Sequence, residues 1–266
     1  RRPIVESADI PENQQAWLQD TYEAWVHRYG TPEEAVLQLR KNPATVLQPI
    51  AKYFGAVSGK QIANLMGSNG IKAVALALLG AQVTLFDLSP GNAQYAEELA
   101  RAAGVEVRVV VGDVLQLPEA YLQGNYDLAF AELGIVHYFT DLGPFMTVIG
   151  KLLGSGGRFV LRDFHPVSTK LISFRGTTAK IRKYKVTGDY FDRSLEERDA
   201  SFTKHLPARS SGSMPKVWWR KWTLGEVVTA VASSGLFIRV LEEEPNLSSE
   251  VFDRGIPKTY TLVADK

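Results

Sequence analysis

The feature that most constrains this chain is a regular alternation of strand and helix patterns between residues 61 and 164. Short apolar runs predict strands, and periodic segments bounded by proline or glycine predict the helices between them. Most links are short, so each helix should cross the sheet and return the next strand parallel to the last. The predicted strands are 61–65, 82–88, 105–111, 126–133 and 157–164, and the predicted helices are 71–79, 90–103 and 141–153.

The segments on either side of this alternation have different patterns. Aromatic residues at three- and four-residue steps predict one amphipathic helix over 12–29. Pro32 begins a second helix, which Pro43 separates from a third at about 44–54. Residues 168–217 are polar and irregular, with strand-like pieces at 179–187, which indicates a lid inserted after the fifth strand. A helix at 224–234 is followed by strands at 237–241 and 259–264, whose helix-free link favours antiparallel pairing.

Together these patterns predict an α/β protein. We expect a Rossmann-like, seven-stranded, mostly parallel sheet with helices on both faces and an antiparallel pair of strands at the C-terminus. The predicted domains are an N-terminal helical cap over 1–42 and a main domain over 43–266 that contains the lid.

Composition excludes several classes of protein. Thirty basic and 29 acidic residues leave a net charge of +1, which gives no reason to expect a nucleic-acid or membrane partner. The absence of cysteine excludes a disulfide framework and a thiolate nucleophile, and four scattered histidines do not predict a metal site. The longest uncharged stretch, 73–86, is shorter than the roughly 20 residues of a membrane span, and no signal peptide is visible. We therefore expect a soluble, cytoplasmic protein.

Three features follow successive predicted strands and indicate a ligand site. Gly67 and Gly70 form a tight turn between the first strand and its helix, where backbone N–H groups can face an anionic group. Asp87 ends the second strand, where an acid can accept both hydroxyls of a ribose. Asp113 ends the third strand and precedes Val114 and Leu115, so its carboxylate could hold an adenine amino group while the ring packs on apolar side chains. Each feature alone could simply cap a turn or helix.

The sequence resembles the class I S-adenosylmethionine-dependent methyltransferases over about residues 43–266. The resemblance is carried by segments 62–70, 86–90, 112–114, 126–138 and 151–157 and by the terminal strand pair. It implies that Gly67, Ser68 and Gly70 bind the methionine part of S-adenosylmethionine, that Asp87 binds ribose and that Asp113 binds adenine. It also implies that the segment 132–136 runs under the methionine part, and that S-adenosylhomocysteine is the product. The complete set of expected cofactor-binding residues is Asn64, Met66, Gly67, Ser68, Gly70, Asp87, Leu88, Asp113, Val114, Leu115, Glu132, Leu133 and Val136.

The first motif departs from the family pattern. When the sequence is aligned on Gly70, the usual acidic residue is replaced by Asn64, and the first two glycines are replaced by Met66 and Ser68. Asn64 and Ser68 can still form hydrogen bonds to an ammonium or a carboxylate group.

Residues for the chemistry itself are harder to predict, because methyl transfer mainly requires alignment of donor and acceptor and exclusion of water. A base is needed only if the acceptor must lose a proton. His137, after the fourth strand, and His165, after the fifth, are the candidate bases. The candidate substrate-binding residues are Tyr22, Tyr29, Tyr138, Trp218 and Trp219.

Several functions remain open at this point. A large lid and a neutral global charge favour a small-molecule acceptor. A basic cluster within 175–185 could instead contact RNA, as in a tRNA methyltransferase, or could simply form the solvent-exposed face of a strand. The cluster comprises Arg175, Lys180, Arg182, Lys183 and Lys185. A nicotinamide-dependent oxidoreductase would more normally have a Gly-x-Gly-x-x-Gly motif, and a non-catalytic binding protein would tolerate the altered first motif. The oligomeric state is not predicted.

Overall fold

A computed structural model of the chain describes residues 11–173, 185–207, 214–245 and 255–266. Its helices are α1 (Pro11–Ala16), α2 (Thr21–Tyr29), α3 (Pro32–Leu39), α4 (Ala51–Phe54), α5 (Ile71–Leu78), α6 (Pro90–Ala103), α7 (Gly143–Leu152) and α8 (Leu224–Ser233). Its strands are β1 (Gln61–Leu65), β2 (Gln82–Asp87), β3 (Val107–Val111), β4 (Tyr126–Glu132), β5 (Leu153–Phe164), β6 (Ile172–Ser173), β7 (Lys185–Val186), β8 (Leu195–Asp199), β9 (Lys216–Arg220), β10 (Phe237–Pro245) and β11 (Pro257–Asp265).

Seven of these strands form the central sheet, in the order β10-β11-β5-β4-β1-β2-β3. The first five strands of the chain run parallel, and β11 pairs antiparallel with both β5 and β10. This confirms the predicted sheet and its antiparallel end pair. The chain moves outward from β1 to β3 and then resumes at β4 on the other side of β1. The strand order therefore reverses between β1 and β4, which is where open α/β sheets bind ligands.

Helices cover both faces of the sheet, as predicted. One hydrophobic core places α2, α3, α5 and α6 against the sheet, and a second core does the same for α7 and α8. Local signals define α6 well, because Ser89 accepts a hydrogen bond from the Asn92 backbone, Pro90 begins the helix and Gly104 ends it in the left-handed conformation.

The predicted single helix over 12–29 is wrong. The chain forms α1 and α2 instead, separated by a turn at which Asp20 adopts a left-handed backbone with φ of 57°. The break lets Trp17 pack on Tyr138 and Phe202, at ring-centroid distances of 5.9 and 5.2 Å. The helix is therefore interrupted where Trp17 packs against other parts of the protein, although the sequence pattern suits a continuous helix.

The predicted helix at about 44–54 is also wrong in form. A short 3₁₀ turn over Pro43–Leu47 is followed by the separate four-residue α4. Pro49 lies between them, and because proline lacks a backbone N–H and restricts the residue before it, a continuous helix cannot pass through this position.

The predicted lid contains more regular structure than its sequence indicates. A π-helical turn over Val167–Leu171 begins it, and β8 pairs antiparallel with β9. Four members of the predicted basic cluster, Arg175, Lys180, Arg182 and Lys183, lie outside the described residues, as do most of the strand-like pieces at 179–187. Lys185, the fifth member, begins β7.

Candidate active site

A cavity lies at the carboxyl ends of β1, β2, β3 and β4. It encloses about 880 Å³, counting the space at its mouth that is open to solvent. Its walls are Asn13, Gln14, Trp17, Met66, Ser68, Phe86, Asp87, Leu88, Asn92, Gly112, Asp113, Val114, Glu132, Leu133, Gly134, Ile135, Tyr138, Phe139 and Ser201. Nine of the residues expected from sequence meet there: Met66, Ser68, Asp87, Leu88, Asp113, Val114, Glu132, Leu133 and Tyr138.

The turn after β1 keeps a glycine-like backbone although it has lost glycines. Met66 and Ser68 both adopt left-handed conformations, with φ of 50° and 55°. The two retained glycines serve close packing behind the wall. A Cβ at Gly70 would lie 2.4 Å from the Ala96 Cβ, and one at Gly67 would lie 2.6 Å from the Asn64 Oδ1. Asn64, Gly67 and Gly70 therefore shape the turn without lining the cavity.

Asp87 is held at the tip of β2 by three donors. Its Oδ2 accepts a hydrogen bond from the Ser68 backbone at 2.8 Å, and its Oδ1 accepts from the Ser89 backbone and the Asn92 amide at 2.9 and 2.8 Å. Burial raises the pKa of Asp87, and these hydrogen bonds oppose that shift. Since a carboxylate offers about four acceptor positions, this arrangement leaves room for one ribose hydroxyl, on Oδ2. The ribose contact itself stays a prediction, and on this hydrogen-bond count it would involve one hydroxyl instead of both.

Asp113 lies at the tip of β3, on the neighbouring part of the wall. Its Oδ1 accepts a hydrogen bond from the Leu115 backbone at 2.8 Å, so it caps the short turn that follows. Val114 is buried beside it and lines the cavity, whereas Leu115 does not. Asp113 can therefore cap this turn and also contact a ligand in the cavity.

Glu132, at the tip of β4, brings a buried charge to the cavity wall. Arg162 Nη1 lies 3.1 Å from its Oε1, and Lys72 forms an ion pair with the other oxygen. Arg162 also contacts Glu244 at 2.8 Å, so two cations and two anions form a connected network beneath the cavity. Such pairing is what permits charge to be buried.

The loop after β4 is fastened by a carboxylate that sequence analysis did not single out. Asp163 is fully buried on β5 and accepts backbone hydrogen bonds from Gly134, Ile135 and Val136 at 2.7, 2.9 and 3.0 Å. It holds Gly134 and Ile135 in the cavity wall, whereas Val136 points into the core. A fourth bond comes from the Phe164 backbone at 2.7 Å.

One end of the cavity is aromatic and carries uncharged polar groups. Trp17 and Tyr138 form its walls together with Asn13, Gln14 and Ser201. The Tyr138 hydroxyl is hydrogen-bonded to the side chain of Ser201, and burial raises the pKa of Tyr138. The phenol therefore remains protonated at neutral pH and can donate a hydrogen bond.

The two histidines expected as bases do not line the cavity. His137 is 2% exposed and stacks on Trp219 at 4.6 Å, with its Nδ1 3.2 Å from the Arg220 carbonyl oxygen. The Nε2 of His165 contacts Glu243 at 2.6 Å. Burial lowers the pKa of His165, against the opposing effect of Glu243. Neither imidazole is thus placed to take a proton from an acceptor held in the cavity.

Four of the expected substrate-binding residues also lie elsewhere. The Tyr22 hydroxyl donates to Glu98 at 2.6 Å, a bond that raises the pKa of Tyr22 to about 12, and Tyr29 is exposed beside Trp25. Trp219 packs on His137, and the Trp218 backbone pairs with Asn13. The cavity residues that the sequence analysis missed include Asn13, Gln14, Asn92 and Ser201. They come from α1, α6 and the turn after β8, where no local pattern distinguishes them from surface polar residues.

Two further observations concern only the described residues. None of their helices is both long enough and apolar enough to cross a lipid bilayer. They contain no group of three or more histidine and acidic side chains arranged to hold a metal ion.

A parallel sheet with its strand-order reversal beside a cavity, and carboxylates on neighbouring strand tips, define a Rossmann-like ligand-binding domain. Residues 58–207, more than half of the chain, match the methyltransferase-domain family, and the chain belongs to that family. It is therefore a methyltransferase.

Solved structures share the fold at low sequence identity. An S-adenosylmethionine-dependent methyltransferase from Mesorhizobium loti is 22% identical, with a TM-score of 0.62 over 86% of this chain and 100% of that one. The magnesium protoporphyrin IX methyltransferase of Synechocystis, with bound S-adenosylhomocysteine, is 14% identical, with a TM-score of 0.57 over 96% and 97%. The geranyl diphosphate C-methyltransferase of Streptomyces coelicolor is 13% identical, with a TM-score of 0.54 over 88% and 83%. No curated protein matches the sequence.

Proposed function

We propose that this methyltransferase acts on a small, uncharged or weakly polar molecule with a planar part. The observation that supports this proposal is the continuity of one cavity from the strand tips to the aromatic end formed by Trp17 and Tyr138. The structural neighbours include enzymes named for magnesium protoporphyrin IX and geranyl diphosphate, both small molecules.

In this proposal the cofactor is S-adenosylmethionine, and it occupies the half of the cavity formed by the strand tips. Asp87 accepts one ribose hydroxyl, Asp113 accepts the adenine amino group, and Phe86, Leu88 and Val114 provide apolar contacts around the ring. The turn after β1 and the loop after β4 hold the amino-acid end. The residues fit such a group, since the carboxylates of Asp87 and Asp113 lie on adjacent strand tips in the cavity wall, between the apolar side chains of Phe86, Leu88 and Val114.

The acceptor then lies at the aromatic end, against Trp17. S-adenosylmethionine supplies a methyl group on a positively charged sulfur. The contribution of the protein is alignment and exclusion of water: Trp17 packs against a planar acceptor, Tyr138 donates a hydrogen bond to it, and Asn13 and Gln14 cover the opening. No histidine base is included, because neither His137 nor His165 borders the cavity.

We also propose that residues 1–42 act as a cap and 168–217 as a lid on a domain spanning 43–266. Contacts between cap and lid support this division. Trp17 of the cap packs on Phe202 of the lid. Asn13 of the cap also pairs with the residue just after the lid: its Nδ2 donates to the Trp218 carbonyl at 2.9 Å, and the Trp218 backbone N–H donates to its Oδ1 at 2.6 Å. Both segments must therefore be ordered together to enclose an acceptor.

The acceptor class is tested by incubating the enzyme and methyl-labelled S-adenosylmethionine with a cell extract separated into small molecules, RNA and protein. We expect the label in the small-molecule fraction. Trp17→Ala should abolish this transfer while leaving S-adenosylhomocysteine affinity within about twofold, because Trp17 lies at the acceptor end. Label in the RNA fraction would overturn the proposal in favour of a tRNA methyltransferase.

A further inference from the structure

Helix α2 of the cap packs against the first turn of α6, beside the proposed cofactor site. Gly91 makes this contact possible, because a Cβ there would lie 2.3 Å from the Thr21 Oγ1 and 2.9 Å from the Tyr22 backbone nitrogen. Thr21 is buried, and its Oγ1 is 2.7 Å from the Oγ of Ser89, the residue that caps α6. The start of α2 is therefore fixed directly on the start of α6.

A second polar contact between α2 and α6 continues as far as Asp87. The Trp25 Nε1 donates a hydrogen bond to the Asn92 Oδ1 at 2.6 Å, and the Asn92 Nδ2 donates to the Asp87 Oδ1 at 2.8 Å. All three side chains are buried, so water has little access to these groups. They form one hydrogen-bonded chain that begins in the cap and ends on the carboxylate proposed to bind ribose.

The chemistry at the two ends of this chain determines how the Asn92 amide is oriented. An indole N–H can only donate a hydrogen bond and a carboxylate can only accept one, whereas an amide does both. Trp25 therefore holds the amide oxygen on its own side, which leaves the amide nitrogen facing Asp87. Without the indole N–H the buried amide oxygen would lose this donor, and the amide would be free to rotate away from Asp87.

We infer that Trp25 is a positioning residue for the cofactor site: its indole N–H fixes the Asn92 amide, which holds the Asp87 carboxylate in the orientation that accepts a ribose hydroxyl. Trp25 itself lies outside the cavity wall, so it acts only through Asn92. The inference rests on the proposed function and extends it. The cap then serves both ends of the cavity, with Trp17 at the acceptor end and Trp25 behind the cofactor.

The test is a double-mutant cycle, measured by calorimetry with S-adenosylhomocysteine. Trp25→Phe keeps an aromatic ring in the core but removes the N–H, and we expect it to raise the dissociation constant about three- to tenfold. The same substitution made in Asp87→Ala should change the constant by less than about twofold, because the carboxylate that Trp25 positions is already absent. Asn92→Ala breaks the chain at its middle and leaves the indole in place, and it should weaken binding about threefold or more.

A pH profile supplies a readout that a purely structural role would not move. The hydrogen bond from Asn92 lowers the pKa of Asp87 against the effect of burial, so losing the orientation of Asn92 should raise that pKa. The fall in S-adenosylhomocysteine affinity on acidification should therefore begin at a higher pH in Trp25→Phe than in the wild type. The other titratable side chains of the cavity wall are unchanged in this comparison; they are Asp113, Glu132 and Tyr138.

Tyr22→Phe is the matched control. The Tyr22 hydroxyl donates to Glu98 at 2.6 Å, so this variant also removes one hydrogen bond between a ring of α2 and α6, but not one in the chain that leads to Asp87. It should leave both the affinity and the pH profile unchanged.

An unchanged dissociation constant in either Trp25→Phe or Asn92→Ala would overturn the inference. So would a loss in Trp25→Phe that is equally large in the Asp87→Ala background, since that would show a packing role. A wild-type chain that binds no S-adenosylhomocysteine, or an Asp87→Ala variant with wild-type affinity, would instead refute the proposed cofactor site.

Discussion

At the scale of single residues, Asp87 is the best test of the proposed ribose contact. We expect Asp87→Ala to raise the dissociation constant for S-adenosylhomocysteine about 10- to 100-fold, since a charge-assisted hydrogen bond contributes about 1.5–3 kcal/mol. Asp127→Ala is a suitable control, because Asp127 accepts a hydrogen bond from the Gln61 backbone at the amino-terminal ends of β1 and β4, away from the cavity. Calorimetry giving the same constant for Asp87→Ala and wild type would refute the assignment.

The pH dependence of binding follows from the same carboxylate. Burial raises the pKa of Asp87, so it becomes protonated at a higher pH than an exposed aspartate does. A protonated Asp87 cannot serve as a charged acceptor, and affinity should therefore fall on acidification, beginning at a higher pH than the titration of an exposed aspartate at about pH 3.9 would give. For this group alone the stability of the unliganded fold moves the other way, because a raised pKa favours the folded state as pH falls. Asp87→Asn should flatten the affinity profile, and an equally steep profile in that variant would assign the effect to another group.

At the scale of elements, Asp163 shows how β5 positions the loop after β4. Removing one carboxylate oxygen in Asp163→Asn leaves some of its four backbone donors without an acceptor. We expect a loss of about 1–3 kcal/mol in the free energy of unfolding, measured by denaturant titration, together with weaker S-adenosylhomocysteine binding. Wild-type stability would contradict a fastening role for this residue.

The junction between α1 and β9 is a second prediction at this scale. Asn13 pairs with both backbone groups of Trp218, so Asn13→Ala should loosen α1 and β9 together. We expect faster amide hydrogen exchange in α1 and β9, with unchanged protection in β1 and β4. Faster exchange confined to α1 would show that the two segments move independently.

Elements were predictable where local chemistry determines them. The bounds of α6 follow from Ser89, Pro90 and Gly104, and the sheet follows from short apolar runs joined by crossovers. The N-terminal helices were not predictable, because Trp17 carries the same helical periodicity whether it lies within a helix or, as here, at a break beside Tyr138. Periodicity indicates that one face of a helix can be buried, but it does not indicate which residues will pack against that face.

At the scale of the whole molecule, topology determined how much of the site could be predicted. Asp87, Asp113 and Glu132 come from separate strands, yet parallel strands place their carboxyl ends at one edge, so their convergence could be predicted from order alone. The acceptor end brings together Asn13 and Ser201, which are far apart in the chain and carry no local signal. His137 and His165 follow β4 and β5, so their positions in sequence are those expected of cavity residues. In the structure, however, His137 is buried against Trp219 and His165 contacts Glu243, so neither side chain faces the cavity.

The central claim is that these strand tips form a single adenosyl site. Titration calorimetry of the purified chain with S-adenosylhomocysteine, and separately with NAD, tests it most directly. We predict one S-adenosylhomocysteine bound per chain and no measurable binding of NAD, whose second nucleotide has no proposed place in the cavity. Absence of S-adenosylhomocysteine binding, or tight NAD binding in its stead, would contradict the account.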